Sequence, residues 1–290
     1  MARERLRHLL EHRLGAPGRA LLAWRTRARA EALLARRGLT GPAAALGSRL
    51  DDRVRRGPFA GMHYPRRRGD IVHAAKLLGA YECELHEALE RLVARAPTLV
   101  VNVGSGDGYY VVGLARRLPL AGIVAVDPDP LAQRACARTA RINAVASVEA
   151  IPLLDPAALE SVIVSRTALL CAGVSGVAAL GAAVGRDPHA LLVVDCEGYE
   201  DELLDPARVP SLADSDLVVE THDFARPGVT ARLTERFSGT HHVERIDVAA
   251  RDVSAFPELS GEPADVARGL LDEFRHMPQS WLVLTARAIT

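Results

Sequence analysis

The stretch Val100-Val101-Asn102-Val103-Gly104-Ser105-Gly106-Asp107-Gly108-Tyr109-Tyr110 constrains this chain more than any other. A near-continuous apolar run, of the kind that fills a buried strand, breaks into three glycines within five residues and then resumes as a helix-compatible segment. Such a turn brings backbone N–H groups close to a ligand that a Cβ would exclude. The glycine spacing carries information. A dinucleotide-binding turn runs G-x-G-x-x-G and would need glycine at position 109, which is Tyr109 here. The next apolar run, Ile123–Val126, ends in Asp127, placed about where an acidic side chain grips ribose hydroxyls in nucleoside-binding α/β folds. Strand, turn, helix, strand and terminal acid therefore stand in register.

The rest of the chain alternates in the same way. Apolar runs near Thr98–Val103, Ile123–Asp127, Val148–Ile151, Leu191–Asp195, Leu217–Glu220, His242–Val248 and Trp281–Thr285 read as strands. Helices are expected to about Leu118 and over Pro130–Asn143 and Ala264–His276, with an amphipathic helical stretch over Ile71–Arg95. The segment from Asp155 to Arg186 reads either as two helices or as a helix and a short strand. The fold expected is α/β, a doubly wound, mostly parallel seven-stranded sheet. Ligands in such sheets collect beyond the carboxyl ends of the strands, at the switch in strand order.

Ahead of this core, residues 1–37 read as two basic helices separated near Gly15-Ala16-Pro17-Gly18, and residues 38–70 as a loop-dominated connector. Two parts follow: a basic helical extension and connector over 1–70, and the α/β domain over 71–290. The formal net charge is zero, yet residues 1–70 hold 17 arginines against 6 acidic residues, so the remaining chain is correspondingly acidic. A basic arm suits nucleic acid, but this one lacks interleaved aromatics beyond Trp24. Leu6, Leu9, Leu10 and Leu14 form a helical stripe instead, which points to packing on the acidic body or on a second copy of the chain. No apolar run approaches the ~18 residues of a membrane span. No apolar signal core follows Met1-Ala2-Arg3-Glu4-Arg5, and the four cysteines are dispersed without a C-x-x-C pair, which fits a reducing cytoplasm.

Two polar clusters fall at the carboxyl ends of later strands. They are Asp195-Cys196-Glu197-Gly198-Tyr199-Glu200 and Glu220-Thr221-His222-Asp223-Phe224. Both would face the crevice of the glycine turn. His222 is the candidate general base, because an imidazole titrates near neutral pH; Glu197 is second. Side chains alternate along a strand, so Glu220 would project with His222 and orient its ring. Glu200 reads equally well as a cap of the helix starting near Gly198. An Asp/Glu/His set also suits a divalent metal, but carboxylates this numerous serve hydrogen bonding to hydroxyls, and no metal is expected. Tyr109 and Tyr110 read as ligand-stacking or as buried helix-start aromatics.

The G-x-G-x-G turn resembles the first motif of class I S-adenosylmethionine-dependent methyltransferases. The D-x-E-G-x-E pattern at Asp195–Glu200, followed by Leu203-Leu204 and then E-x-H-D at Glu220–Asp223, resembles the FkbM-type members of that class. The stretch Lys76–Leu85 is also similar to the segment preceding their first motif, and the likeness spans about residues 60–225. It implies a class I (Rossmann-like) sheet, S-adenosyl-L-methionine as cofactor and methyl transfer to a small-molecule hydroxyl, as on a sugar or natural product. By the resemblance, Gly104, Gly106 and Gly108 wrap the methionine part, Asn102, Ser105 and Asp107 are further cofactor-binding residues, Asp127 holds the ribose, and Tyr81 and Glu82 close over the cofactor. Asn102 stands where many class I enzymes have an acid, which reassigns the grip on the cofactor's amino group to Asp195 or Glu82. Two other functions stay open. A nicotinamide-dependent oxidoreductase conflicts with Tyr109, and a non-catalytic binding protein on the same scaffold is at odds with the retained acidic clusters.

Overall fold

Seven strands form one sheet in the order β3-β2-β1-β4-β5-β7-β6. In chain order they are β1 (Leu99–Val103), β2 (Gly122–Val126), β3 (Glu149–Ile151), β4 (Ala190–Val194), β5 (Asp216–Thr221), β6 (His241–Asp247) and β7 (Ser280–Ala286). The structure is a computed structural model and describes residues 15–146, 148–171, 189–275 and 277–287. Strands β1 to β5 pair in parallel, and β7 inserts antiparallel between β5 and β6. The expected doubly wound sheet is therefore present. Its order reverses between β1 and β4, which pair in register from Leu99↔Ala190 to Val103↔Val194. That places the glycine turn and the Asp195 loop side by side at the switch point.

The central strands are buried along their whole length, as apolar runs without alternation require. On one face Leu99, Val101, Val103, Leu192 and Val194 share a core with Leu159 and Ile163 of the helix Pro156–Cys171. Val229, Leu233 and Phe237 of the helix Val229–Phe237 join the same core. The helix Tyr109–Arg117 packs against β1 and β2.

The chain divides into two units, one of residues 1–56, 63–81 and 250–274 and one of residues 57–62, 82–249 and 275–290. The second holds the whole sheet. Within the first, Arg37, Arg49 and Arg56 pair with Asp272, Glu262 and Glu258. Arginines of the basic extension thus meet carboxylates from far along the chain. Leu6, Leu9, Leu10 and Leu14 of the expected stripe lie outside the described residues. None of the described helices is long and apolar enough to cross a membrane.

Local structure departs from the sequence reading at several points. The break near Gly15–Gly18 is the start of a helix, Gly15–Arg36, with Pro17 in its first turn, where proline is tolerated. The connector contains the helix Thr40–Arg49, with Pro42 likewise in its first turn. The Ile71–Arg95 stretch is two helices, His73–Leu78 and His86–Ala94. Gly79 stops the first at φ +67°, where a Cβ would meet the Arg56 carbonyl oxygen at 2.5 Å, and Glu82 follows at φ +48°. The helix from Ala264 ends at Leu271, because Asp272 is extended and Phe274 has φ +55°. Pro156–Cys171 is a single helix, and residues 172–188 of that ambiguous segment lie outside the described residues.

Candidate active site

The three glycines of the turn are needed for three different reasons. All have positive φ, +80° at Gly104, +53° at Gly106 and +90° at Gly108. A Cβ on Gly104 would lie 1.7 Å from the Asp195 carbonyl oxygen, so this glycine lets the ends of β1 and β4 close on each other. A Cβ on Gly108 would lie 2.9 Å from Cys136 Sγ, so this one serves packing against the helix Pro130–Ile142. A Cβ on Gly106 would meet nothing within 4 Å. Gly106 alone of the three opens onto free space.

Asp127 braces that turn. Its Oδ2 accepts the Gly106 N–H at 2.8 Å and its Oδ1 accepts the Asp129 N–H at 2.8 Å. Ser105 is buried, and its Oγ has no hydrogen-bond partner among the described residues. It also lines a cleft of about 430 Å³ with Ala125, Gln133, Cys136 and Ala150. Asp107 is buried beside it in the turn. These features fit a nucleoside cofactor: an open approach at Gly106, an orphaned hydroxyl at Ser105 and a pre-set carboxylate at Asp127. Asn102 is buried, and its Nδ2 donates to the Val193 carbonyl oxygen at 3.0 Å. Tyr81 belongs to the other unit, where Lys76 Nζ lies 5.2 Å from its ring centroid. Tyr109 and Tyr110 are packed edge-on against Phe59.

Beyond β4 the chain turns sharply at Glu197 (φ +57°) and Gly198 (φ +104°) and brings Glu200 against His222. Glu200 is fully buried. Its Oε1 accepts the Gly198 N–H at 3.0 Å and lies 2.7 Å from Nδ1 of His222, itself only 1 % exposed. The partner of the ring is thus Glu200 and not Glu220, which corrects the expectation from strand alternation. With Nδ1 tied to Glu200, His222 Nε2 faces Asp195 Oδ1 at 3.5 Å and Glu197 Oε2 at 3.9 Å. Burial alone would lower the His222 pKa, but the hydrogen bond and charge of Glu200, with the charges of Glu220 and Glu197, outweigh it and raise it. Burial likewise pushes Glu200 up, and its bonds to His222 and the Gly198 N–H bring it below the usual range. Asp195 is pushed well up, first by burial and then by Glu220, Glu197 and Glu82.

Glu220 does share the crevice with His222, but it is held by Arg275. The same guanidinium donates to Glu82 Oε1 at 2.7 Å, and Tyr110 Oη donates to Glu82 Oε2. The Arg275 tie between the end of β5 and the entry to the Rossmann-like core was invisible in the sequence, where 55 residues separate Arg275 from Glu220. Trp281, directly across from Glu220 on β7, is buried with its Nε1 lacking a partner among the described residues. Asp195, Glu220 and His222 each offer a ligand atom within 4.8 Å of the others, a set that a divalent cation could use. Cys196 is a poor nucleophile, because burial and then Glu200 and Asp195 push its thiol pKa up.

No family model matches the sequence, and no curated protein matches it. Similar solved structures include a precorrin-6y C5,15-methyltransferase from Geobacter metallireducens (13 % identity, TM-score 0.42, covering 70 % of this chain and 89 % of that one). An rRNA methylase from Streptococcus thermophilus is another (11 %, 0.40, 70 % and 97 %). A third, from Streptococcus mutans, is described as a candidate methyltransferase and was solved in complex with SAH (11 %, 0.38, 68 % and 96 %). At such identities and scores, the likeness bears on neither reaction nor acceptor.

Proposed function

We propose that this protein is an S-adenosylmethionine-dependent methyltransferase of the FkbM type, acting on a hydroxyl of a small molecule such as a sugar or natural product. The observation that carries the reading is the pairing of two half-sites across the β1/β4 switch. One is the turn that is open at Gly106 and braced by Asp127; the other is the buried His222–Glu200 pair beside Asp195. Gly106, Ser105 and Asp127 would hold the cofactor, with Asp195 and Glu82 as the acidic groups toward its amino end. Bound there, the cofactor would supply a methyl group on a sulfonium leaving group.

The chain's own residues have three tasks. His222 Nε2 accepts the proton of the acceptor hydroxyl as the oxygen attacks, a contribution of ~10²–10⁴-fold for a positioned base. Glu200 holds Nδ1–H, which fixes the tautomer that leaves Nε2 free to accept, and steadies the imidazolium once formed. Asp195 and Glu197 face the same nitrogen and accept hydroxyl hydrogens that align the acceptor. Arg275 neutralises Glu82 and Glu220, so that the carboxylates can lie together. The experiment is a methyl-transfer assay with labelled S-adenosylmethionine over a panel of alcohols, run on the native protein and on His222→Ala. Label in an ether product that depends on His222 supports the reading. Label transferred equally well by His222→Ala removes the base.

A further inference from the structure

We propose that the outer face of the helix Pro130–Ile142 is a docking surface for an acidic amphipathic helix of a protein partner. Arg134, Arg138 and Arg141 stand at i, i+4 and i+7 of this helix, with Leu131 and Ile142 bracketing them at its two ends. At 3.6 residues per turn the five positions fall within an arc of about 100°, in a row about 16 Å long. The other side of the helix carries the buried Ala132, Cys136, Thr139 and Ala140, and all five residues of the row are exposed. Leu131 is 43 % and Ile142 37 % exposed, so two of the large apolar side chains left open in the described residues share one helix face with three cations.

Charge decides the occupant. The helix has no acidic residue, and none of its three arginines forms an ion pair with a described residue. Arginines on neighbouring elements of the same sheet unit are paired, Arg117 with Glu90, Arg166 with Glu149 and Arg236 with Asp201. Like charges three and four residues apart disfavour a helix, so the row carries a cost in the free protein that carboxylates would relieve. Asp and Glu at i, i+4 and i+7 of a second helix repeat the arginine spacing, and paired Arg–carboxylate hydrogen bonds reward that match. Apolar side chains beyond each end would cover Leu131 and Ile142. The face is also preorganised: Asp129 Oδ1 accepts the Leu131 N–H at 2.9 Å, and Gln133 Nε2 donates to the Asp127 carbonyl oxygen at 2.7 Å. A short helix ends where the row ends. A nucleic acid would run past it onto a domain whose acidic side chains outnumber the basic ones over 71–290, and the row offers no aromatic ring for stacking. A bilayer requires a broad apolar face, which this helix turns to the core.

The test is selection from a displayed library of helical peptides, randomised on one face, against the native protein and against a variant combining Arg134→Gln, Arg138→Gln and Arg141→Gln. The three positions are exposed, so the variant should keep the native unfolding midpoint. Peptides enriched on the native protein should carry Asp or Glu at i, i+4 and i+7 with an apolar residue beyond each end. The most enriched peptide, made synthetically, should bind the variant at least tenfold more weakly in fluorescence anisotropy. Arg138→Glu should likewise weaken it, and Lys at the central acidic position of the peptide should restore binding to that variant. Equal enrichment on both proteins, enrichment of peptides without acidic residues, or no rescue by the Lys peptide overturns the proposal. So does an oligothymidine strand, or a phosphatidylserine vesicle, that binds the native protein more tightly than the peptide and is released by the triple substitution.

Discussion

Replacing Glu200 by Gln tests the proton-handling role assigned to the buried pair. The amide oxygen can still accept Nδ1–H of His222, so the tautomer survives while the negative charge is lost. A hydrogen bond to a charged group is worth ~1.5–3 kcal/mol and a neutral one ~0.5–1.5 kcal/mol. The imidazolium that forms during proton transfer therefore loses about 1–2 kcal/mol of support, which is a ~5- to 30-fold fall in the single-turnover rate. The loss depends on pH. Only the neutral imidazole accepts a proton, so a raised His222 pKa sets the rising limb of the native rate profile above the ordinary 6.5. Removing the Glu200 charge, one of the raising influences on His222, moves the limb to lower pH, so the deficit is smallest in acid and full in alkali. The assay is single-turnover methyl transfer with saturating acceptor between about pH 5 and 9, with cofactor affinity measured in parallel. An unchanged rate and an unmoved limb would refute the assignment of His222 and Glu200 as base and orienter.

Four further outcomes follow from the same geometry. His222→Ala should leave cofactor affinity intact by calorimetry and lower the single-turnover rate by ~10²-fold or more; activity restored only by a divalent cation would make His222 a metal ligand instead. Asp127→Ala should weaken cofactor binding ten- to a hundredfold, the worth of a charge-assisted hydrogen bond of ~1.5–3 kcal/mol, and unchanged affinity would take Asp127 out of the site. For Glu200→Gln, denaturant unfolding should show its largest stability deficit between the ordinary values of 4.5 and 6.5. Glu200, lowered in the fold, stabilises above the first value and loses this as pH falls; His222, raised, stabilises below the second and loses this as pH rises; a deficit that does not vary with pH would contradict the ion pair. Finally, the basic extension should show no tight, steeply salt-dependent binding to duplex or single-stranded DNA in ~0.15 M salt, and a steep slope lost on deleting residues 1–37 would overturn its packing role.

The sheet was legible because buried parallel strands need apolar side chains on both faces, so Val100–Val103 and Leu191–Val194 read as runs that helices would not require. The turn was legible through its glycine spacing. What each glycine does was not, because the clash of Gly104 with the Asp195 carbonyl depends on a strand 91 residues away in the chain. Boundaries failed where glycine and proline carried two meanings. Gly41-Pro42 opens a helix although it reads as a loop, and Gly79 ends one within an amphipathic pattern that reads as continuous. The helix Val229–Phe237 went unread between two strands. At the site, alternation along β5 correctly brought Glu220 and His222 together, but contact is decided in three dimensions. Positive φ at Glu197 and Gly198 carries Glu200 to the imidazole, and Arg275 claims Glu220 from a loop with no motif of its own.

The central claim is that the turn at Gly106 is built for S-adenosylmethionine. Calorimetric titration of the pure protein with S-adenosylmethionine and, separately, with NAD tests it most directly, with Gly106→Val as the control that fills the open space. The account predicts saturable one-to-one binding of S-adenosylmethionine, loss of that binding in a Gly106→Val variant whose unfolding midpoint shows it folded, and no binding of NAD. Saturable NAD binding, or S-adenosylmethionine binding that survives a folded Gly106→Val, would contradict it.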